Sequence, residues 1–154
     1  MYIPIKVDYG VRALVDLALN GSGGPVRASE IAKRTVIPEQ YLAQVLHSLN
    51  KSGFTGSQRG PRGGHFLAME PSEIRLSNVM MSLGATESPV ACLADNTICI
   101  HSPACAQREV WRTVAEAVFN ILDSTTIEDL VNSTPILPEH DDKGVLPITL
   151  KTAV

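Results

Sequence analysis

Three cysteines lie close together in the second half of the chain. Cys92, Cys99 and Cys105 are the only cysteines among 154 residues, and they are spaced C-x6-C-x5-C. Internal disulfides cannot pair an odd number, and the spacing differs from the C-x2-C pairs typical of structural zinc sites. The irregular sequence between them predicts a loop that can wrap a larger group. We therefore expect an iron–sulfur cluster, with zinc as the second choice. Three thiols that bind no ligand are the remaining alternative.

Two arginines on a glycine-rich turn are a second candidate for chemistry. Arg59 and Arg62 belong to a run with Gly60, Gly63 and Gly64, which favours a tight reversal between two short strands. An arginine on such a loop can enter the narrow minor groove of DNA and contact phosphates, whereas a purely structural turn does not need two. We expect both arginines to contact DNA.

The segment before this hairpin predicts an element that reads bases. Pro38 is expected at the first position of a helix that runs to Gly53 and carries an apolar stripe on one side. Its polar face offers Gln40, Tyr41 and Gln44, whose side chains can reach base edges and phosphates. We expect these three residues to meet the major groove.

Hydrophobic periodicity predicts the elements that must position these residues. In chain order we expect a helix over 5–20, a short helix capped by Ser29 and ending near Thr35, a turn at 36–37, strands over 54–59 and 65–68, a short helix over 76–83, a long helix over 104–123 and a last short turn of helix from 127. Two helices joined by a tight turn and followed by a hairpin are typical of a winged helix-turn-helix. A small helical bundle with a structural hairpin is the alternative.

The chain length allows one compact domain with an appended element. We predict a mainly α fold with a small β-hairpin, divided into a winged helix-turn-helix domain at 1–83, a cysteine loop at 84–104, a dimerisation helix and a short helix at 105–133, and an extended or mobile tail at 134–154. Apolar residues cover more than one face of the long helix. A symmetric homodimer through this helix is therefore expected, with Trp111 in or beside the interface.

The net charge of −3 is unevenly distributed along the chain. Residues 1–69 hold eight Lys or Arg against four Asp or Glu, so the first half is basic and the remainder acidic. This asymmetry favours a polyanionic partner for the first half. A hydrophobic fraction of 44%, a charged fraction of 19% and a mean hydropathy of +0.08 exclude a membrane protein and a disordered chain. We expect a cytoplasmic protein with no membrane partner.

Four features together resemble one family, the IscR/NsrR/RirA type of winged-helix regulators. They are the run Tyr9-Gly10-Val11-Arg12-Ala13-Leu14, the segment from Ile31-Ala32 through Tyr41-Leu42-Ala43-Gln44-Val45-Leu46, the run from Ser57 to His65, and the three spaced cysteines. The match covers about residues 1–133. The resemblance implies a homodimeric, DNA-binding transcriptional regulator, expected to act as a repressor, with an iron–sulfur cluster of two or four irons that senses iron, redox state or nitric oxide.

The resemblance also bears on the fourth ligand of a cluster. His65 stands where a tyrosine is usual, and Gln107 stands where the IscR branch has a histidine ligand. In the nitric-oxide-sensing branch the fourth ligand is an aspartate on the first helix of the partner subunit, and Asp8 stands at the matching position. Asp8 is therefore the expected fourth ligand and His101 the alternative. A surface pair between Asp8 and Arg12 is the structural explanation that competes with this role.

Two other functions compete with this interpretation. The first is a regulator without a cluster, which uses its thiols, a metabolite or a partner protein as its signal. The second is an iron–sulfur redox enzyme. The second has little support, because the four histidines are scattered over different elements and no phosphate-binding glycine loop follows a strand. We expect that the protein is not an enzyme.

Overall fold

The computed structural model describes residues 3–85, 88–101 and 104–134. These residues form seven helices and one hairpin, in the order α1 Ile5–Asn20, α2 Ala28–Thr35, α3 Glu39–Lys51, β1 Thr55–Gln58, β2 Gly64–Leu67, α4 Leu76–Ser82, α5 Ala91–Ala94, α6 Ala106–Ser124 and α7 Ile127–Ser133, with 3-10 turns at Gly21–Gly23 and Pro71–Glu73. The predicted fold class, mainly helical with a small hairpin, is confirmed. The expected tail lies outside the described residues except for Thr134.

The core lies on both sides of α1. On one side Leu14 packs with Leu49 of α3 and with Ile74 and Ile127, all fully buried. On the other side Ala13 and Leu17 pack against apolar residues of α2 and α3. Burying an aliphatic side chain of this size stabilises the fold by roughly 1.5–3 kcal/mol. Helix α1 is therefore the central support of α2 and α3, and Ile127 ties α7 to the same core.

Three helix starts differ from the expectation. Helix α2 begins at Ala28, because the carbonyl oxygen of the extended residue Arg27 accepts the first helical hydrogen bonds, so Ser29 is not the N-cap. Pro38 has an extended ψ of 130° and precedes α3 instead of starting it. Cys105 likewise precedes α6 as its N-cap residue and does not lie in the first turn.

The segment at 84–104 is less irregular than expected. It contains the single helical turn α5, which includes Cys92. One turn of helix is too short to produce a hydrophobic period, so the sequence pattern cannot indicate it. None of the helices in the described part of the chain has the length and hydropathy to cross a bilayer.

Candidate nucleic-acid interface and cysteine segment

Helix α3 presents one apolar and one polar face. Its apolar residues Leu42, Val45, Leu46 and Leu49 are buried. Gln40, Tyr41 and Gln44 are exposed, and in the described part of the chain none of their side chains makes a hydrogen bond. The three residues predicted to read DNA are therefore available to an external partner.

The turn between α2 and α3 has an unusual backbone. Val36 adopts a left-handed conformation with φ of 56°, and its side chain is 80% exposed. Ile37 follows it, is buried, and donates its N–H to the Ala32 carbonyl at 3.2 Å. A β-branched residue is strained in this region of φ/ψ space. The turn therefore places Ile37 in the core at the cost of strain at Val36.

The hairpin has the geometry of a wing. Strands β1 and β2 pair antiparallel, from Thr55 opposite Leu67 to Gln58 opposite Gly64. At the tip Gly60 has a φ of 113°, which favours glycine. Arg59 and Arg62 are both exposed on this tip, as their proposed role requires.

The wing is attached to the segment that leads into α2. Val26 and His65 exchange backbone hydrogen bonds, each of 2.8 Å. A Cβ at Gly64 would overlap the backbone of Val26, and one at Gly63 would overlap the carbonyl oxygen of Gln58. The wing and the helix-turn-helix therefore form one backbone-linked unit, and no side chain fits at the contact.

His65 lies at the base of the wing. Its Nδ1 is buried and has no hydrogen-bond partner among the described residues. Burial disfavours the charged imidazolium, so the pKa of His65 is lowered from 6.5. Burial therefore favours the neutral imidazole of His65 over the charged form.

The three cysteines are half-buried and none forms a disulfide. Cys92 lies in α5, Cys99 follows a turn in which Asp95 accepts hydrogen bonds from Thr97, and Cys105 immediately precedes α6. Those bonds lower the pKa of Asp95. Within residues 3–85, 88–101 and 104–134, no three His, Cys, Asp or Glu side chains lie close enough together to hold a metal ion. One chain alone therefore does not assemble the predicted ligand set.

Asp8, the predicted fourth ligand, has a partner within its own helix. Arg12 donates hydrogen bonds to both carboxylate oxygens, with distances of 3.1 Å from Nε to Oδ1 and 2.8 Å from Nη2 to Oδ2. Both side chains are partly exposed, and a surface pair of this kind contributes less than about 1 kcal/mol. The carboxylate can therefore exchange Arg12 for another partner at little cost. His101, the alternative ligand, is exposed.

A groove that the sequence does not indicate opens beside Cys105. Its volume is about 1060 Å³, and α4, α5 and the first half of α6 surround it. Arg108, Glu109, Arg112 and Glu116 form its charged wall, while Met81 and Leu93 are its larger apolar residues. Arg112 pairs with both Glu109 and Glu116, so these three charged side chains are paired within α6.

Helix α6 exposes a stripe of apolar residues. No residue of the helix is buried within the chain. Val110, Val114 and Ile121 are 59%, 37% and 64% exposed, and with the exposed Ala117 they are spaced four, three and four residues apart. This alternation is typical of a helix that packs against a second helix. Trp111 lies at its edge and is 39% exposed.

Comparison with known proteins identifies the class of molecule. The family model described as Rrf2, iron-dependent transcriptional regulator, matches residues 3–133. The protein Rrf2 of Nitratidesulfovibrio vulgaris is 32% identical, covering 91% of this chain and 93% of its own length. The solved structure of CymR, the global cysteine regulator of Bacillus subtilis, is similar with a TM-score of 0.75 and 34% identity over 88% of this chain and 99% of that one.

The solved structure of IscR from T. potens is also similar, with a TM-score of 0.70 and 29% identity over 86% of this chain and 88% of that one. These relatives are regulators and not enzymes, in agreement with the expectation from the scattered histidines. The resemblance inferred from the sequence is confirmed, and the chain belongs to the Rrf2 family of transcriptional regulators.

Proposed function

We propose that this regulator acts as a homodimer that binds double-stranded DNA and represses transcription. In each subunit α3 enters the major groove through Gln40, Tyr41 and Gln44, and the wing contacts the minor groove and phosphates through Arg59 and Arg62. The observation that carries the proposal is the exposure of these five polar side chains on a helix-turn-helix and wing joined by backbone hydrogen bonds.

Charge supports this assignment. The basic half of the chain, residues 1–69, contains the helix-turn-helix and the wing. A basic surface attracts the phosphate backbone over a distance of about one Debye length, and its affinity falls as salt rises. The acidic half contains α4 to α7, and in the proposed complex these helices do not contact DNA.

The exposed stripe of α6 supports the homodimer. The charged residues Glu109, Arg112 and Glu116 lie away from the stripe and pair with one another, so the stripe itself is apolar. Packing two copies of α6 through Val110, Val114, Ala117 and Ile121 removes these side chains from water. A dimer also brings two helix-turn-helix units to two half-sites, which a single unit cannot contact together.

The DNA assignment is tested with salt-dependent binding. The probe is a duplex enriched by the unmodified protein from a random pool. Arg62→Ala is expected to weaken binding and to reduce the slope of log affinity against log salt by about one, because one phosphate contact is lost. Arg112→Ala is the control, since among the described residues Arg112 pairs with Glu109 and Glu116 of its own helix. If Arg62→Ala leaves both the affinity and the slope unchanged, the wing is not part of the DNA interface.

For the sensor we propose the cysteine segment. The donor set, three thiols with a carboxylate, suits an iron–sulfur cluster held by Cys92, Cys99, Cys105 and Asp8 of the partner subunit. When bound, the cluster would supply a group that reacts with oxygen or nitric oxide and that depends on the supply of iron. The described part of a single chain does not gather three ligands. The proposal therefore requires that the three cysteines of one subunit come together around the cluster and that the partner subunit add Asp8.

The cluster assignment is tested by absorbance of anaerobically purified protein. A brown chromophore is expected, and Asp8→Ala should change its spectrum and hasten its loss in air, while Arg12→Ala should leave it intact. If Asp8→Ala leaves the chromophore unchanged and His101→Ala loses it, His101 is the fourth ligand. A colourless protein from cells supplied with iron would contradict the cluster.

The second candidate function is a regulator that senses through its thiols without a cluster. The separated, half-buried and unpaired cysteines of the chain favour it, and CymR, a similar protein, is described as a cysteine regulator. In that case the protein is colourless, and a thiol oxidant changes its affinity for DNA. Replacing the three cysteines with serine should abolish this response.

A further inference from the structure

The junction between α6 and the winged-helix domain contains one buried polar contact. Ser77 of α4 is 2% exposed, and its hydroxyl donates a hydrogen bond of 2.7 Å to Oδ1 of Asp123, in the last turn of α6. Arg75 donates to the other carboxylate oxygen at 3.0 Å and to the Asp123 carbonyl at 2.9 Å. All these acceptors belong to one residue.

Asp123 is the only described residue of α6 whose side chain is hydrogen-bonded to another element. The other side-chain hydrogen bonds of the helix, from Arg112, Thr113 and Ser124, end within α6 itself. Helix α6 also lacks buried residues that would fix its direction by packing. The orientation of α6 therefore depends on its polar junction as well as on its contacts with α4 and α5.

An acidic residue is unfavourable at this end of a helix. The C-terminus of a helix carries partial negative charge, and the last turn of α6 contains no basic residue. Asp123 is tolerated because Arg75 compensates its charge and Ser77 donates a hydrogen bond to its carboxylate. Arg75 also satisfies the otherwise unpaired carbonyl of Asp123. Helix stability alone does not account for an aspartate at this position.

The backbone just beyond Asp123 provides a fixed pivot. Leu76 donates its N–H to the Thr125 carbonyl at 3.0 Å, and Ile127 donates to the Ile74 carbonyl at 2.9 Å. Ile74 and Ile127 are both fully buried in the core. The chain is therefore anchored at 125–127, and the Asp123 hydrogen bonds, one turn earlier, set the angle at which α6 leaves this anchor.

Small changes of that angle have large effects at the far end of α6. Val110 lies thirteen residues before Asp123, which at 1.5 Å per residue is about 20 Å along the helix. A rotation of about 10° at the pivot moves Val110 by about 3 Å, close to the rise of one base pair. In a dimer formed by α6, the angle between α6 and the winged-helix domain therefore determines the separation of the two DNA-reading units.

We propose that Asp123 is a positioning residue that, through Arg75 and Ser77, fixes the angle between α6 and the winged-helix domain and thereby the half-site spacing that the dimer reads. The inference rests on the proposed function, because it needs a dimer through α6 and paired half-sites. It assigns spacing specificity to residues outside the proposed DNA-contacting residues and outside the apolar stripe of α6.

The experiment selects bound duplexes from a random pool of about 30 base pairs, long enough for two half-sites one helical turn apart. Four proteins are compared: the unmodified chain, Asp123→Ala, Ser77→Ala and Ser124→Ala. Ser124 is the control, because it is adjacent to Asp123 and its hydroxyl donates to the Ile121 carbonyl within α6. Light scattering and thermal melting accompany each selection, so that loss of fold or of dimer is recognised.

We expect the unmodified protein and Ser124→Ala to enrich pairs of half-sites at one spacing. In Asp123→Ala the preference for that spacing over spacings one base pair longer or shorter should fall about tenfold, with an unchanged half-site sequence, because charge-assisted hydrogen bonds are lost. Ser77→Ala should show a smaller fall in this spacing preference. If Asp123→Ala does not fold, the result for Ser77→Ala tests the inference in its place.

Two results would overturn the inference, and they are distinguishable. If all four proteins enrich the same sharp spacing, Asp123 does not set it, while the proposed function stands. If the unmodified protein enriches no paired half-sites, the proposed function fails and this inference fails with it.

Discussion

Arg34 of α2 donates hydrogen bonds to both carboxylate oxygens of Asp16 of α1, from Nε at 2.7 Å and from Nη2 at 2.8 Å. The Asp16 residue is 6% exposed, and it also accepts a bond from Asn20. The hydrogen bond to Asp16 raises the pKa of Arg34. This bidentate pair joins the first helix of the helix-turn-helix to the helix at the centre of the core.

Removing Arg34 leaves the buried carboxylate of Asp16 without its counter-ion. Arg34→Ala is therefore expected to lower the free energy of unfolding by about 3 kcal/mol. Arg34→Lys should recover part of this loss, because a lysine keeps the charge but not the paired geometry. The control is Lys33→Ala at an exposed neighbour, with an expected change below about 0.5 kcal/mol. Urea unfolding that gives Arg34→Ala and Lys33→Ala the same midpoint would contradict the role of the pair.

The strained turn at Val36 predicts a stabilising substitution. Val36→Gly should raise the free energy of unfolding by about 1 kcal/mol, since relief of the left-handed strain exceeds the added freedom of glycine in the unfolded chain. The side chain is 80% exposed, so little packing is lost. Val36→Ala, which retains a Cβ in the same conformation, should gain much less. A lower melting temperature for Val36→Gly would show that the valine side chain has a stabilising contact.

Burial of His65 predicts a dependence of stability on pH. Its folded pKa lies below the unfolded value of 6.5, so between these two values the unfolded chain binds more protons than the folded chain. The contribution of His65 to the free energy of unfolding is complete above pH 6.5, and it is lost as the pH falls through the folded pKa. Urea unfolding at several pH values should show this loss in the unmodified protein and not in His65→Phe. His47→Gln, at an exposed position of α3, should retain it.

The apolar stripe of α6 predicts how the dimer can be broken. Val114→Glu places a charge in the middle of the stripe and is expected to yield monomers by light scattering, with weaker binding to DNA carrying two half-sites. Asn120→Glu adds the same charge at an exposed position away from the stripe and should remain dimeric. A Val114→Glu protein with the mass of a dimer would place the interface elsewhere.

The elements with a long hydrophobic period could be predicted from the sequence. Helix α1 was expected at 5–20 and lies there, because its apolar residues recur regularly and glycines follow it. The helix-turn-helix and the wing were also expected, from the turn between two short amphipathic helices and from the glycines of the hairpin. The family comparison confirms this fold class, while the roles of the individual DNA-contacting residues and cysteines stay predictions.

The polar contacts between elements could not be predicted. Arg34 and Asp16 are 18 positions apart, and Ser77 and Asp123 are 46 apart. A period of two or 3.6 residues describes one element and contains no information about which residues of distant elements meet. The exact helix starts depend on the backbone of a single residue, such as the extended Pro38, which propensities do not resolve.

The glycines at the base of the wing also determine where this protein can change during evolution. Gly63 and Gly64 admit no side chain, whereas Arg59 and Arg62 are exposed and can be replaced without disturbing the backbone. After gene duplication, one copy can therefore acquire a different wing chemistry while the scaffold that holds the wing stays constant. The two glycines therefore mark positions where any side chain would displace the backbone, and the two arginines mark positions where a replacement leaves the backbone in place.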